Sequence, residues 1–132
     1  MTMWKVDFTL EDLNRRGQNT MASTLGMEFI EIGPNFLKAR MPVDTRTVQP
    51  IGIMHGGASC ALAETVGSTA ANVAVDIKTH YCVGLDINTN HVRAIREGWV
   101  YAVAKPFHIG RTTQVWGIEI TNEQAELISV TR

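Results

Sequence analysis

The feature that most restricts the fold of this chain is a long stretch with a single charge. Residues 57–75 contain Glu64 as their only charged residue and Leu62 as their only leucine, and most of the others are Ala, Ser, Thr, Gly and Asn. A membrane span needs ~20 strongly apolar residues, which this stretch does not offer. We therefore predict a buried helix over 57–75 and no membrane span.

Shorter elements flank this helix. Thr9 followed by Asp12 three residues later is typical of a capping box and predicts a short helix that Gly17 ends. Alternating residues predict strands over 25–32 and 36–41, joined as a hairpin by Gly33-Pro34-Asn35, and further strands over 81–95, 99–104, 114–120 and 125–131. Pro42, Pro50 and Gly52 exclude a regular helix and predict an irregular segment over 42–54. One face of the 81–95 strand would carry Val83, Leu85, Ile87, Thr89 and His91.

The order of these elements predicts the architecture. Consecutive strands with short connections pair in antiparallel fashion, so the one long helix must cover a face of the resulting sheet. We therefore predict a single α+β domain over residues 1–132, in which an antiparallel sheet curls around a central helix.

Charge and cysteine content narrow the possible functions. The formal net charge of -1 gives no general attraction to nucleic acid or to an anionic membrane, so phosphate binding would need a local basic cluster. Cys60 and Cys82 form no C-x-x-C pair, which argues against a disulfide framework or a thiolate zinc site and favours the reducing cytoplasm. The four histidines lack a carboxylate at metal-ligand spacing. We predict a cytoplasmic protein without a metal or other cofactor.

Glu64 is the most informative residue of the helix. A buried carboxylate without partners is costly, so it shifts its pKa, gains hydrogen-bond donors or lies where water and substrate reach it. Ser68 lies one turn later, and Ala61 and Ala71 share the same face, which leaves a stripe of small residues around one carboxylate. The alternative is a glutamate on a solvated face, but such a face normally carries several charges. We interpret Glu64 as a functional carboxylate.

The start of the helix adds a second candidate feature, His55-Gly56-Gly57. Two glycines at a helix start let a substrate approach the backbone, and the N–H groups of the first turn have no partner within the helix. Together with the helix dipole, these donors suit a polarised carbonyl or a developing oxyanion. A lone Gly-Gly pair, in contrast, is explained by a tight turn.

Five segments of the chain resemble one known family. They are MPVDTRTVQP (41–50), HGGAS (55–59), AETVGS (63–68), NTNHVR (88–93) and KPFHIGR (105–111). H-G-G with glutamate seven residues after the second glycine, Q-P upstream and N-H-V-R downstream, is similar to the hotdog-fold acyl-CoA thioesterases. The nearest resemblance is to the dihydroxynaphthoyl-CoA thioesterases and the proofreading thioesterase of enterobactin synthesis. The ending, residues 128–132, stops short of the last strand of such relatives, as a truncated C-terminus would.

The resemblance implies a hotdog fold, hydrolysis of an acyl-CoA or acyl-carrier-protein thioester, and a homodimer with a continuous sheet and two sites at the interface, often paired into a tetramer. An aroyl group such as hydroxynaphthoyl or benzoyl is the expected acyl group. The Gly56 N–H, next to Gly57, would polarise the thioester carbonyl. Glu64 of the partner subunit would attack the carbonyl carbon or activate a water. Gln49 and His55 would lie beside the thioester and orient the reacting groups.

Further residues would bind the substrate on the same resemblance. Ser68 and His91 would line the acyl side and help to place water or substrate. Basic residues would meet the phosphates of coenzyme A, or are ordinary solvated charges: Arg93, Arg96, Lys105 and Arg111. Gln49 has the alternative of bonding only its own proline-rich loop, and His91 that of a buried core histidine.

Two other functional classes remain open from the sequence. A hotdog dehydratase or hydratase would use the same fold on a similar thioester, but it needs a histidine–carboxylate pair for proton transfer at the substrate's α and β carbons. A non-catalytic acyl-CoA-binding protein would keep the pocket and lose the carboxylate, and Glu64 argues against it. The motif therefore favours a thioesterase.

Overall fold

The computed structural model describes residues 1–132 as one sheet and three helices. In chain order the elements are α1 (Leu10–Arg16), α2 (Met21–Thr24), β1 (Glu28–Ile32), β2 (Leu37–Val43), α3 (Gly56–Val73), β3 (Thr89–His91), β4 (Gly98–Ile109), β5 (Gln114–Thr121) and β6 (Leu127–Thr131). The strand order across the sheet is β1-β2-β4-β5-β6-β3, and every neighbouring pair is antiparallel. The predicted α+β hotdog architecture, an antiparallel sheet around one long helix, is confirmed.

Helix α3 packs one face against the sheet because that face carries small and aliphatic side chains. Leu62, Ala63, Val66 and Ala70 are completely buried against strands whose inward residues are also apolar. Gly67 lies so close to β5 that an added Cβ would come within 3.2 Å of the Ile118 Cδ1 atom. The small residues of α3 thus allow close approach of helix and sheet.

The predicted capping box and short helix at the amino-terminal end are confirmed. The Thr9 side chain accepts a hydrogen bond from the Asp12 N–H, Asp12 accepts one from the Thr9 N–H, and α1 ends before Gly17. The predicted hairpin forms between β1 and β2, with its turn at 33–36. Helix α2, a single turn, was not predicted.

Strand β2 runs two residues into the segment that was expected to be irregular. Pro42 pairs with Trp99 of β4, and it lies beyond Arg40, the last β2 residue that pairs with β1. Proline is tolerated there because β2 has a neighbour on one side only, so no ladder hydrogen bond needs its missing N–H.

The long strand predicted over 81–95 is wrong for most of its length. Only Thr89–His91 forms a strand, and it lies at the sheet edge beside β6. No backbone hydrogen bond joins residues 83–87 to the rest of the chain, because pairing with the β6 side reaches only to Asn88. The apolar side chains of this part are largely exposed, at 83% for Tyr81, 77% for Val83 and 86% for Leu85. We call residues 81–88 the edge segment. Alternation alone could not show whether a partner strand is present.

The helices also bear on the prediction that the chain has no membrane span. None of the three combines the length and the apolarity that crossing a bilayer requires.

Candidate active site

The first turn of α3 presents one unpaired backbone donor. His55 is the N-cap, its Nδ1 accepts a hydrogen bond of 2.7 Å from the Gly57 N–H, and its C=O accepts those of Ala58 and Ser59. The His55 N–H is itself bound to the Thr47 C=O at 2.8 Å, which anchors the helix start. The Gly56 N–H has no acceptor within the chain. A free donor therefore stands at the positive end of the helix dipole.

His91 lies directly beside this donor. It is the last residue of β3, and a Cβ added to Gly56 would come within 2.9 Å of the His91 Nε2 atom. The ring is exposed, so the alternative of a buried core histidine is wrong. Glycine at position 56 thus leaves room for the imidazole next to the free N–H.

Glu64 lies on the face of α3 that points away from the sheet. The expected buried carboxylate is not found in the single chain, because Glu64 is exposed. Ser68 Oγ donates a hydrogen bond of 2.8 Å to Glu64 Oε1, in agreement with their predicted shared face. On the other side the edge segment approaches, and a Cβ added to Gly84 would lie 3.0 Å from the same oxygen. The carboxylate is held between a hydroxyl and a glycine backbone.

Gln49 bonds its own loop within the single chain. Its Oε1 accepts a hydrogen bond of 2.5 Å from the Ile51 N–H, and its backbone is paired with Ile53 and Gly52. The contacts are those of the alternative reading, in which Gln49 stabilises the loop before α3. The Nε2 group of Gln49 makes no hydrogen bond in the chain and is a free donor.

These residues form two groups along α3. The first lies at the helix start and comprises His55, Gly56 and His91, with Gln49 in the loop before the helix. The second lies two turns later and comprises Glu64, Ser68 and Gly84. Eight residues separate Gly56 from Glu64, which is about 12 Å along the helix axis. The Ser68 hydroxyl also holds the carboxylate from its C-terminal side. The Gly56 N–H and the Glu64 carboxylate of one chain therefore do not meet at a single carbonyl group.

The four cations predicted as a phosphate patch do not lie together in the chain. Arg93 pairs with Glu126 of the turn between β5 and β6 at 3.1 Å, and Arg96 donates a hydrogen bond of 3.0 Å to the Ile51 C=O in the loop before α3. Arg111 lies in the turn between β4 and β5. This turn is at the other end of β5 from Glu126, and a strand of eight residues separates the two ends by about 25 Å. Lys105 lies over the Phe36 ring, 5.9 Å from its centroid. A single chain forms no common patch from them.

A groove opens beside the second group, and the sequence did not predict it. It has a volume of about 350 Å³ and lies between α3 and the α1–α2 region. Leu13, Met21 and Phe29 contribute apolar lining, and Ser68 and Asn72 line the α3 side. Because Ser68 also binds Glu64, the groove begins next to the carboxylate.

Gly84 and Asn72 are further site residues that the sequence reasoning missed. A signal for Gly84 exists, since an isolated glycine inside an alternating strand pattern often marks a close approach of the backbone. No comparable signal marks Asn72, which is one of several small polar residues along α3.

The fold and the two residue groups define a class of protein. The antiparallel sheet curls around α3, which begins with H-G-G and carries a glutamate two turns later. This is the arrangement of hotdog-fold thioester hydrolases. A family model described as "Thioesterase superfamily" matches residues 51–129. The chain belongs to this family.

Relatives agree over nearly the full length of the chain. The 1,4-dihydroxy-2-naphthoyl-CoA hydrolase of Escherichia coli is 48% identical over 130 residues, which are 98% of this chain and 95% of that protein. The proofreading thioesterase EntH of Cronobacter turicensis is 44% identical over 131 residues, 98% of this chain and 94% of that protein. A Haemophilus influenzae thioesterase superposes with a TM-score of 0.97 at 47% identity, over 99% of this chain and 91% of that one. The chain is a thioester hydrolase.

Proposed function

We propose that this chain hydrolyses aroyl-CoA thioesters to the free acid and coenzyme A, with Glu64 as the catalytic carboxylate. The observation that carries the proposal is the free Gly56 N–H at the start of α3, on the same helix as a carboxylate held by Ser68. Attack on a thioester carbonyl needs a nucleophile or a general base, which a carboxylate can supply, and a donor that stabilises the oxyanion.

Two routes for Glu64 agree with this geometry. In one, the carboxylate attacks the carbonyl carbon, the C–S bond breaks, and water then hydrolyses the mixed anhydride. In the other, Glu64 removes a proton from a water that attacks directly. Both routes consume one water and release acid and thiol, and in both the Gly56 N–H stabilises the negative charge that develops on the carbonyl oxygen. His55, His91 and Gln49 would orient the thioester and the water beside that donor.

A second copy of the chain would complete the site. Reacting atoms must approach within about 3–3.5 Å, whereas Gly56 and Glu64 of one chain are separated by two helical turns. The edge segment and β3 together connect both groups, because Gly84 of the edge segment lies at Glu64 and His91 of β3 lies at Gly56. Two copies of residues 84–91 paired antiparallel about an axis between residues 87 and 88 would bring Gly84 of one copy opposite His91 of the other. The exposed apolar side chains of this segment support such a homodimer. The tetramer stays a prediction.

An aroyl substrate is supported by a relative and by the groove. The Escherichia coli relative carries a naphthoyl-CoA substrate in its name, at 48% identity. The groove beside Ser68 has a volume of about 350 Å³, within the range of small-ligand pockets, and Leu13, Met21 and Phe29 give it an apolar part among mostly polar lining residues. Arg93 and Arg111 stay predicted contacts of the coenzyme A phosphates, and an acyl carrier protein is the alternative carrier.

Solved variants of relatives support Gln49 and Glu64 as a functional pair. Thioesterase PA1618 from Pseudomonas aeruginosa, with TM-score 0.97 at 43% identity over 99% of this chain and 94% of that one, was solved as its Q49A variant. The Staphylococcus aureus protein SAV0944, 35–36% identical over 85% of this chain, was solved with a glutamate and with a glutamine replaced by alanine, fifteen positions apart. Gln49 and Glu64 have the same spacing.

One assay tests the proposal against both alternatives. The protein is mixed with benzoyl-CoA and a thiol reagent, and we expect free coenzyme A and benzoate in equal amounts, with Glu64→Gln as the inactive control. A dehydratase or hydratase, or a protein that only binds acyl-CoA, releases no thiol. Binding of benzoyl-CoA without thiol release would overturn the proposed function.

A further inference from the structure

The side-chain amide of Asn72 ties the edge segment to α3 at two points. Its Oδ1 accepts a hydrogen bond of 2.7 Å from the Cys82 N–H, and its Nδ2 donates one of 3.0 Å to the Cys82 C=O. The same Nδ2 donates to the Ser68 C=O at 2.9 Å. A contact that uses both backbone groups of one residue sets the direction of the chain as well as its distance from the helix.

Both neighbours of the Glu64 carboxylate are connected to this amide. Gly84 follows Cys82 by two residues and lies against Glu64 Oε1, and Ser68, whose C=O binds Asn72, donates to that oxygen. Beyond Cys82 the segment has no backbone hydrogen bond within the chain until Asn88. The nearest polar restraint on the position of Gly84 is therefore at Cys82. Asn72 binds both backbone groups of Cys82, and the thiol adds longer contacts of 3.5 Å to the Ala71 C=O and 3.7 Å from the Gln114 Nε2.

We propose that Asn72 is a positioning residue for the catalytic carboxylate. It fixes Cys82, and through Cys82 it holds the Gly84 backbone against Glu64, so the carboxylate keeps one orientation toward the carbonyl carbon. Asn72 touches no reacting atom in this role. The inference rests on the proposed function of Glu64.

The test uses two substitutions and a matched control. Asn72→Ala removes all three hydrogen bonds, and Asn72→Asp keeps the shape and the acceptor but loses both donors. Asn35→Ala is the control, because it removes an exposed side-chain amide in the β1–β2 turn that makes no hydrogen bond. With benzoyl-CoA we expect kcat to fall roughly 10- to 100-fold in Asn72→Ala, because misplacement of a reacting group by about 1 Å costs that much. Asn72→Asp should lose at least as much, because its carboxylate oxygen faces the Ser68 and Cys82 carbonyl oxygens. KM should change little in both variants, and Asn35→Ala should match the wild type.

Two further readouts separate positioning from general stability. Hydrogen exchange at the Cys82 amide should accelerate in Asn72→Ala, since that N–H loses its acceptor. In a Glu64→Gln background, Asn72→Ala should leave the residual rate unchanged, because no carboxylate remains to be positioned.

The outcomes distinguish this inference from the proposed function. Wild-type kcat in both Asn72 variants, with Glu64→Gln inactive, would overturn the role of Asn72 alone. A further loss of residual rate when Asn72→Ala is added to Glu64→Gln would also overturn the role of Asn72. Unfolding of both Asn72 variants would overturn it as well, because either result shows that Asn72 has a structural role. Wild-type kcat in Glu64→Gln would instead remove the proposed function.

Discussion

Gly56→Ala gives the sharpest test of the oxyanion donor, because the structure separates its effects on activity and on stability. Gly56 is not among the glycines with positive φ, which are Gly26, Gly52 and Gly98, so alanine fits its backbone without strain. Replacing glycine at such a position stabilises a protein by about 0.4–1 kcal/mol through the unfolded chain. The new methyl group would meet only the exposed His91 ring, at 2.9 Å from Nε2, and this ring can move. We therefore expect an unchanged or slightly raised Tm.

Activity should respond very differently. The methyl group occupies the space beside the free N–H where the thioester oxygen must approach, and it displaces His91. Loss of one oxyanion donor costs about 10²–10³ in kcat, or roughly 2.7–4 kcal/mol, and we expect a loss of that order in kcat/KM. The assay is release of coenzyme A from benzoyl-CoA, with calorimetry for Tm and sedimentation for the oligomer.

The control for this substitution is a double variant. Gly57→Ala is unsuitable as a control, because a Cβ there would lie 2.9 Å from the His55 Nδ1 atom and disturb the helix cap. Gly56→Ala/His91→Ala is compared with His91→Ala alone, because His91 is itself a predicted site residue. A further loss from Gly56→Ala in the His91→Ala background supports blocked access to the N–H, whereas no further loss would assign the effect to displacement of His91. Wild-type kcat/KM in folded Gly56→Ala would refute the donor role.

Four further predictions follow from the site and the fold. Glu64→Gln should nearly abolish kcat while KM changes little, because the amide keeps the shape of the carboxylate, and near-normal kcat would contradict the assignment. Mixing Glu64→Ala with Gln49→Ala should restore activity in hybrid dimers that regain one intact site, whereas an active monomer in sedimentation would rule out the shared site. Benzoyl-CoA should exceed palmitoyl-CoA in kcat/KM, and the reverse order would exclude the aroyl preference. A hydrogen bond from the Thr9 backbone N–H, and next one from the Thr9 hydroxyl, lowers the pKa of the Asp12 carboxyl. The stabilisation of the fold by the ionised Asp12 is therefore present above the ordinary carboxyl pKa and is lost as pH falls through the lowered pKa. Asp12→Asn should therefore lower Tm at pH 7 and leave it less sensitive to acid, and an equal acid sensitivity would contradict this.

Local features of the chain were sufficient to predict α1, α3 and the central pattern of the site, but not the single turn of α2. The Thr9–Asp12 capping box acts within one turn, so its residues predict the start of α1 without tertiary information. The single charge of the 57–75 stretch predicted both the long helix and the residue of interest on it. H-G-G before that helix predicted a free N–H because the donors of a first helical turn are always without intrahelical partners.

Tertiary structure decided everything that depends on contacts between distant segments. The alternation of residues 81–95 predicted a strand, but a strand needs a neighbour to pair with, and within the chain backbone hydrogen bonds join the β6 side only to residues 88–93. Burial of Glu64 depended on what covers α3, and in a single chain its carboxylate is open to solvent. The approach of His91 to Gly56, of Gly84 to Glu64 and of Asn72 to Cys82 joins residues that are 10 to 35 positions apart. Periodicity describes only the face of one element, so these pairings, which create the two groups of the site, emerge only when the chain is folded.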